Sequence, residues 1–312
     1  MLIGLMLLVL GMALVLWGAE RFTEGAVGTA LRFQLSTFYV GVVVSGFEPE
    51  NLVTGIAAAL GHLHQIALGT VIGSAVFMLT GGLGVTLLLT PMQVRIPKEG
   101  GLAMIASVLL FAVLLGNDGR VSRAEGALLV AAAGGLMTWL YRTAPVFMAR
   151  GKDEGPELKK RSRTAVLGLL GVGVAVMLIG AELIVQGARN LLASLRLSET
   201  FLGMAVVGTG ESLEEAARMV TPARRGHPEL AWGNVVGTVV VLLTLNLGII
   251  AMVSPVTADP LVLRFHVPYL VACTIAVAVA LLSRRRLGRW MGAALVSAYA
   301  LYLGFNVSQM WR

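Results

Sequence analysis

The sequence predicts an all-α integral membrane protein: ten transmembrane helices in two five-helix repeats of inverted topology. Three observations carry that expectation. Of the 312 residues, 57% are apolar and 13% charged, with a mean hydropathy of +0.83; soluble domains carry about 25% charged residues. The apolar stretches run to roughly 17–25 residues, the length of spanning helices rather than of barrel strands. Finally, motifs recur in order at a nearly constant offset. Gly18-Ala19-Glu20 is answered by Gly180-Ala181-Glu182, and Gly69-Thr-Val-Ile-Gly73-Ser74 by Gly233-Asn-Val-Val-Gly237-Thr238. Because five is odd, two five-span halves must insert in opposite orientations. Secondary transporters use that plan and place substrate at the repeat interface near the midplane.

The first repeat, residues 1–148, holds candidate spans at about 2–31, 36–60, 65–90, 101–116 and 123–142. The first of these has no basic leader and no small-residue cleavage site, so it reads as a retained span rather than a signal peptide. Asp118-Gly119 marks a turn, and Ser122-Arg-Ala-Glu125 a capping box that opens the fifth span. Residues 149–163 form the one strongly polar stretch, too short for a soluble domain and expected to be a cytoplasmic linker. The second repeat, 164–312, holds spans at about 164–190, 199–221, 228–253, 261–282 and 288–307. The tryptophans fall mostly near span ends, as an aromatic belt would. His62, His64, His227 and His266 fall in loops or at span ends, and no pair has metal-ligand spacing. The single cysteine, Cys273, reads as a buried structural thiol and excludes a disulfide framework.

Loop charge orients the chain. With the N-terminus outside, one set of loops carries Arg32, Arg95, Lys98, Arg142, the linker cations, Arg224, Arg225 and Arg284 to Arg286, among others. The opposite set carries only Arg120, Arg123, Arg189, Arg196, Arg264 and Arg312. The bias predicts both termini outside and the linker in the cytoplasm of a cell (inner) membrane. It also explains the net charge of +7 without a nucleic-acid partner. The partners expected are the lipid bilayer and inorganic cations; the oligomeric state is not legible.

Chemistry concentrates in two acidic clusters inside spans: Gly46-Phe47-Glu48-Pro49-Glu50-Asn51, and Gly210-Glu211-Ser212-Leu213-Glu214-Glu215. Each charge at the centre of a spanning helix costs about 2.5–3.5 kcal/mol on insertion scales, so such groups are paired, wet or functional. On a helix Glu211 and Glu215 share a face, as do Glu48 and Asn51. Glycine and proline beside the acids permit a broken helix, whose free carbonyls join carboxylates in an all-oxygen site for hard cations. The third and eighth spans add Ser74, Asn234 and Thr238 beside glycines at four-residue spacing, which let backbones approach closely. There is no nucleophile–base pair, no metal-ligand histidine motif and no nucleotide loop, so an enzyme is not expected. Nor is a bound cofactor expected, beyond transported ions.

These motifs resemble those of the calcium/cation antiporter superfamily, to which sodium/calcium exchangers belong. Its two α-repeats carry Gly-Thr-Ser-Leu-Pro-Glu, followed some eighteen residues on by Gly-Asn-x-x-Gly-Ser-Asn. Gly210–Glu215 with Gly233–Thr238 is similar to the second repeat, and Gly46–Asn51 with Gly69–Ser74 to the first. The loop Asp118–Gly126 also resembles that family's. The departures are specific. Asn51 stands where the first repeat's ligand glutamate is expected. Phe47 and Glu211 replace its threonines, and Glu50 and Glu214 its prolines. Met78 and Leu242 occupy the positions of the asparagine or aspartate.

The resemblance implies a secondary antiporter that exchanges a divalent cation, calcium first, for sodium ions or protons by alternating access. It implies a midplane site of Glu48, Glu50, Asn51, Ser74, Glu211, Ser212, Glu214, Glu215 and Thr238. Arg218, three residues after Glu215, is placed to pair with the acids or to snorkel to the cytoplasmic end. The alternative is a same-fold membrane protein with another solute, or with a structural or regulatory role.

Overall fold

The computed structural model describes residues 1–32, 48–92, 97–143, 162–224, 228–282 and 288–311. Among these the chain forms ten helices. The first half holds α1 (Leu2–Arg32), α2 (Pro49–Leu60), α3 (His64–Leu89), α4 (Lys98–Asp118) and α5 (Arg123–Thr143). The second holds α6 (Arg163–Leu195), α7 (199–224), α8 (228–253), α9 (Val262–Leu282) and α10 (Arg289–Ser308). Eight of the ten are long and apolar enough to cross a membrane. The other two, α2 and α7, carry the carboxylates. Most of the linker expected at 149–163 lies outside the described residues, as do the first residues of the expected second span.

Local chemistry sets several helix ends where the sequence put them. Gly119, at φ 74°, takes the left-handed conformation that closes α4, which glycine adopts without a Cβ penalty. In the capping box Glu125 Oε2 accepts from the Ser122 N–H at 2.8 Å, and Ser122 Oγ from the Glu125 N–H at 3.3 Å. Ser162 and Ser198 cap α6 and α7. Glu199, on α7, reaches across to cap another helix: its Oε1 accepts from the Gln65 and Ile66 N–H groups at the start of α3. Beyond the sequence expectation, β1 (Arg120–Val121) pairs antiparallel with β2 (Val256–Thr257), clasping the α4–α5 loop to the α8–α9 loop.

The helices pack with the pseudo-symmetry of two repeats. α1 and α6 lie antiparallel along their length, with Gly4, Gly11 and Gly18 facing the Gly187, Gly180 and Gly173 regions in turn. Seven residues make almost two helical turns, so glycines at that spacing form one stripe. A Cβ at Gly11 would lie 2.7 Å from the Gly180 carbonyl oxygen, and one at Gly173 2.8 Å from that of Gly18. Small residues let the two backbones touch. α2 packs on α3 as α7 packs on α8, while α4 packs on α9. α5 meets the second half of α8 through Gly126 and Gly248; α10 meets the matching half of α3 through Gly292 and Gly84. α3 and α8 form the centre, with Ile66, Val71, Ile72, Val235, Val239 and Leu243 fully buried. The outer faces expose Leu5, Val9, Leu178, Ile179 and other large apolar side chains, as a lipid-facing surface does.

Among the described residues four stretches are π-helical: Met78–Gly82, Leu202–Val207, Leu242–Asn246 and Val262–His266. The first and third occupy matched positions in α3 and α8. Around Gly210, where glycine permits a break, α7 instead runs through as a helix, with the second π turn immediately before Gly208. Three side chains sit deeper or shallower than their sequence positions suggested. His266 is fully buried, its Nδ1 hydrogen bonded to Tyr302 Oη at 2.9 Å. Trp232 is buried inside α8 rather than in a belt, whereas Trp17, Trp290 and Trp311 are exposed. Cys273 is half-buried.

Candidate functional site

The site is built at the crossing of α2, α3, α7 and α8. Pro49 opens α2, where its missing N–H costs nothing and its fixed φ suits a helix start. Glu48 is the N-cap residue, and Glu50, Asn51 and Thr54 follow on the first turns; all four are buried. Asn51 ties this turn together: its Nδ2 donates to Glu48 Oε2 at 2.6 Å, and its Oδ1 accepts from Ser74 Oγ at 2.9 Å. Ser74 Oγ also lies 3.0 Å from the Gly208 carbonyl, so the α3 hydroxyl links α2 to α7. In place of a glutamate, Asn51 supplies a bridging amide.

That link depends on glycine. A Cβ on Gly69 would collide with the Gly203 carbonyl group, and one on Gly208 with the Gly69 carbonyl oxygen. The glycines expected to be helix-packing residues are therefore backbone contacts between the two repeats. They bring Ser74 within reach of α7.

On α7, Glu211, Ser212 and Glu215 are buried, whereas Leu213 between them is 57% exposed. The shared face that the i, i+4 spacing predicted is the inward one. Glu215 Oε2 accepts from Asn234 Nδ2 of α8 at 2.8 Å. One turn further along α8, Thr238 is fully buried. The Glu214 and Arg218 side chains, like residues Gly46 and Phe47, lie outside what the structure describes.

Unpartnered oxygens concentrate at this crossing. Neither carboxylate oxygen of Glu211 has a hydrogen-bond partner among the described residues, and the residue is 0% exposed. Thr54 and Glu50, both on α2, are the groups across the repeat interface that act on its charge. Ser212 Oγ, Thr238 Oγ1, Thr54 Oγ1 and Asn246 Oδ1 are likewise buried without a partner. A buried polar atom left unsatisfied costs about 1–3 kcal/mol, more when charged. Acceptor oxygens without donors are what a hard cation takes. Among the described residues no three His, Cys, Asp or Glu side chains converge as a metal cluster. The oxygens are mixed hydroxyl, amide and carboxylate groups.

Sequence reasoning missed two residues here and left a third outside the site. Thr54 lies one turn beyond the acids of α2, a spacing that could have flagged it. Asn246 sits in the apolar run Leu242-Leu243-Thr244-Leu245-Asn246, where a lone amide is itself a signal. Asn234, noted as a source of an amide, proves to be the residue that holds Glu215. Met78 and Leu242, at positions where the superfamily has a polar residue, are fully buried and each begins a π turn.

The sequence model of the sodium/calcium exchanger protein family matches residues 3–142 and 165–308, both halves of the chain. Over 97% of its length the chain is 27% identical to inner membrane protein YrbG of Escherichia coli, covering 96% of that protein. It is 24% identical to sodium/calcium exchanger MaX1 of Methanosarcina acetivorans over 96% of this chain and 97% of the other. A solved structure of the sodium-calcium exchanger NCX_Mj, soaked with sodium and strontium, superposes with a TM-score of 0.64. That match has 23% identity and covers 97% of this chain and 98% of the exchanger. The fold is that ten-helix, two-repeat architecture. With both halves matched, the chain belongs to the sodium/calcium exchanger family, a family of membrane transporters rather than enzymes.

Proposed function

We propose that the protein is a secondary antiporter that moves calcium, a divalent cation, against sodium ions or protons. The observation that carries this reading is Glu211: a fully buried carboxylate with both oxygens unpartnered among the described residues. A dry carboxylate needs a cation or a proton, and a site that accepts either in turn is an exchange site. Glu48, Glu50, Asn51, Ser74, Glu211, Ser212, Glu214, Glu215 and Thr238 make up the site, with unequal duties. Glu211, Ser212 and Thr238 offer oxygens directly. Asn51 and Ser74 hold Glu48 and the α2–α7 contact in register. Asn234 holds Glu215.

Calcium takes six to eight oxygens, whereas sodium and protons make do with fewer, so the same ligands serve each in turn. Because the ions compete for one set of carboxylates, one ion leaves as the other binds, and alternating access converts competition into exchange. Residues 1–148 and 164–312 act as the two repeats about this site, joined by a cytoplasmic linker at 149–163. The protein lies in the cell membrane, both termini outside.

Purified protein in liposomes with an internal calcium reporter tests the reading. Calcium uptake driven by an opposing sodium or proton gradient, and lost in Glu211→Gln, is the expected result. No uptake under either gradient sinks the proposal.

A further inference from the structure

We propose that Asn246 is a further oxygen ligand of the transported cation and a determinant of selectivity between calcium and sodium. The inference rests on the antiporter reading and deepens it. Asn246 is fully buried on α8, and its Nδ2 donates to the Glu48 carbonyl oxygen at 3.1 Å. That carbonyl also accepts from the Leu52 N–H at 3.2 Å, as the first turn of α2 requires. A carbonyl can only accept, so the contact fixes which end of the Asn246 amide is which. Its NH₂ group faces α2, and its Oδ1 is left with no partner among the described residues. An unsatisfied amide oxygen in a membrane interior is costly unless something fills its lone pairs.

The π turn explains why this residue reaches the site. Thr238 and Asn246 are eight residues apart, which on a regular helix would set them about 80° apart around the axis. The turn Leu242–Asn246 lies between them, and a π turn accommodates one extra residue. That correction returns Asn246 to within about 20° of Thr238, some 10 Å further along α8. Thr238 therefore serves the end of the site nearer Glu215 and Asn234, and Asn246 the end at Glu48. The matched residue of the first repeat is Gly82, which brings no side-chain oxygen, so the extra side-chain ligand belongs to one repeat alone. It parallels the acids: Glu48 in one repeat, Glu211 and Glu215 in the other. A neutral amide oxygen in that position adds coordination without adding charge, so it holds the preference for calcium over sodium below what a carboxylate there would give.

The test compares wild type, Asn246→Ala and the near-isosteric Asn246→Asp in liposomes, with half-saturating calcium and sodium measured for each. Thermal unfolding without added cation verifies that each variant is folded. Asn246→Ala is expected to weaken cation binding about tenfold (about 1.4 kcal/mol). Asn246→Asp is expected to raise the preference for calcium over sodium by a similar factor. A residue that only propped up α2 would leave the calcium-to-sodium ratio untouched in the aspartate variant. Unchanged affinities in Asn246→Ala, or an unchanged ratio in Asn246→Asp, overturn the inference while the antiporter reading stands. A wild type with no cation response overturns both.

Discussion

Glu211 stands 164 residues after Phe47 in the inverted repeat, so an acid in one half answers an aromatic ring in the other. The chain keeps this acid in a fully buried position with no hydrogen-bond partner among the described residues, a costly arrangement when no ion is present. Stability and function should therefore pull in opposite directions here. In cation-free buffer Glu211→Gln should melt higher than wild type, because a neutral amide is cheaper to bury than a bare carboxylate. Adding calcium should raise the wild-type melting temperature in a concentration-dependent way and leave the variant unmoved. Equal cation-dependent shifts in the two proteins would falsify a ligand role for Glu211. The buried acids of this candidate site were legible in the sequence, since charges inside spans announce themselves. The role of Asn51 was not. Its position placed it among the site's ligands, whereas its contacts make it a bridge from Glu48 to Ser74. Only the distance between α2 and α3 decides between those roles, and sequence spacing does not hold it.

At the scale of the element, α1 and α6 show how glycine fixes a helix pair. Gly18 and Gly180 stood out in the sequence as a repeated Gly-Ala-Glu, but their partners are Gly173 and Gly11, residues no local motif singles out. The seven-residue glycine spacing was readable; that the two stripes face each other was not, because it depends on how the repeats fold together. Adding volume at the stripe should separate the helices. Gly11→Leu should cost about 1–3 kcal/mol, as overpacked interiors do, and lower Tm by several degrees. Gly171→Ala on the same α6 is the control: a Cβ there meets nothing within 4 Å. It should leave Tm unchanged or slightly raised, since alanine favours a helix over glycine. An equal loss in both variants would mean that close packing along the stripe is not what the added volume disturbs. The π turns belong to this scale too. No sequence pattern marks Leu242–Asn246 as a π turn.

For the whole molecule, the repeat plan, most helix boundaries among the described residues and the Ser122–Glu125 capping box followed from local pattern and hydropathy. The pairing of helices across the two halves did not, since it is settled by contacts between segments far apart in sequence, such as Gln65 with Glu199. Orientation is the property at this scale that still calls for measurement. Two inverted repeats have the same outline whichever way they are inserted, so the fold itself carries no preference for a side. The preference comes from loop charge: the cations crowd the loops of one parity, including Lys152 and its neighbours in the linker, and leave Arg196 on the other. Single cysteines in a Cys273→Ala background read this directly with a membrane-impermeant maleimide on intact cells. Arg196→Cys, in the exposed turn between α6 and α7, should label from outside. Lys152→Cys should label only after the membrane is opened. The reverse pattern would place the termini in the cytoplasm and turn the calcium gradient that the exchanger faces. Labelling of both in intact cells would mean that the chain inserts both ways, so that charge bias is too weak to orient a symmetric fold.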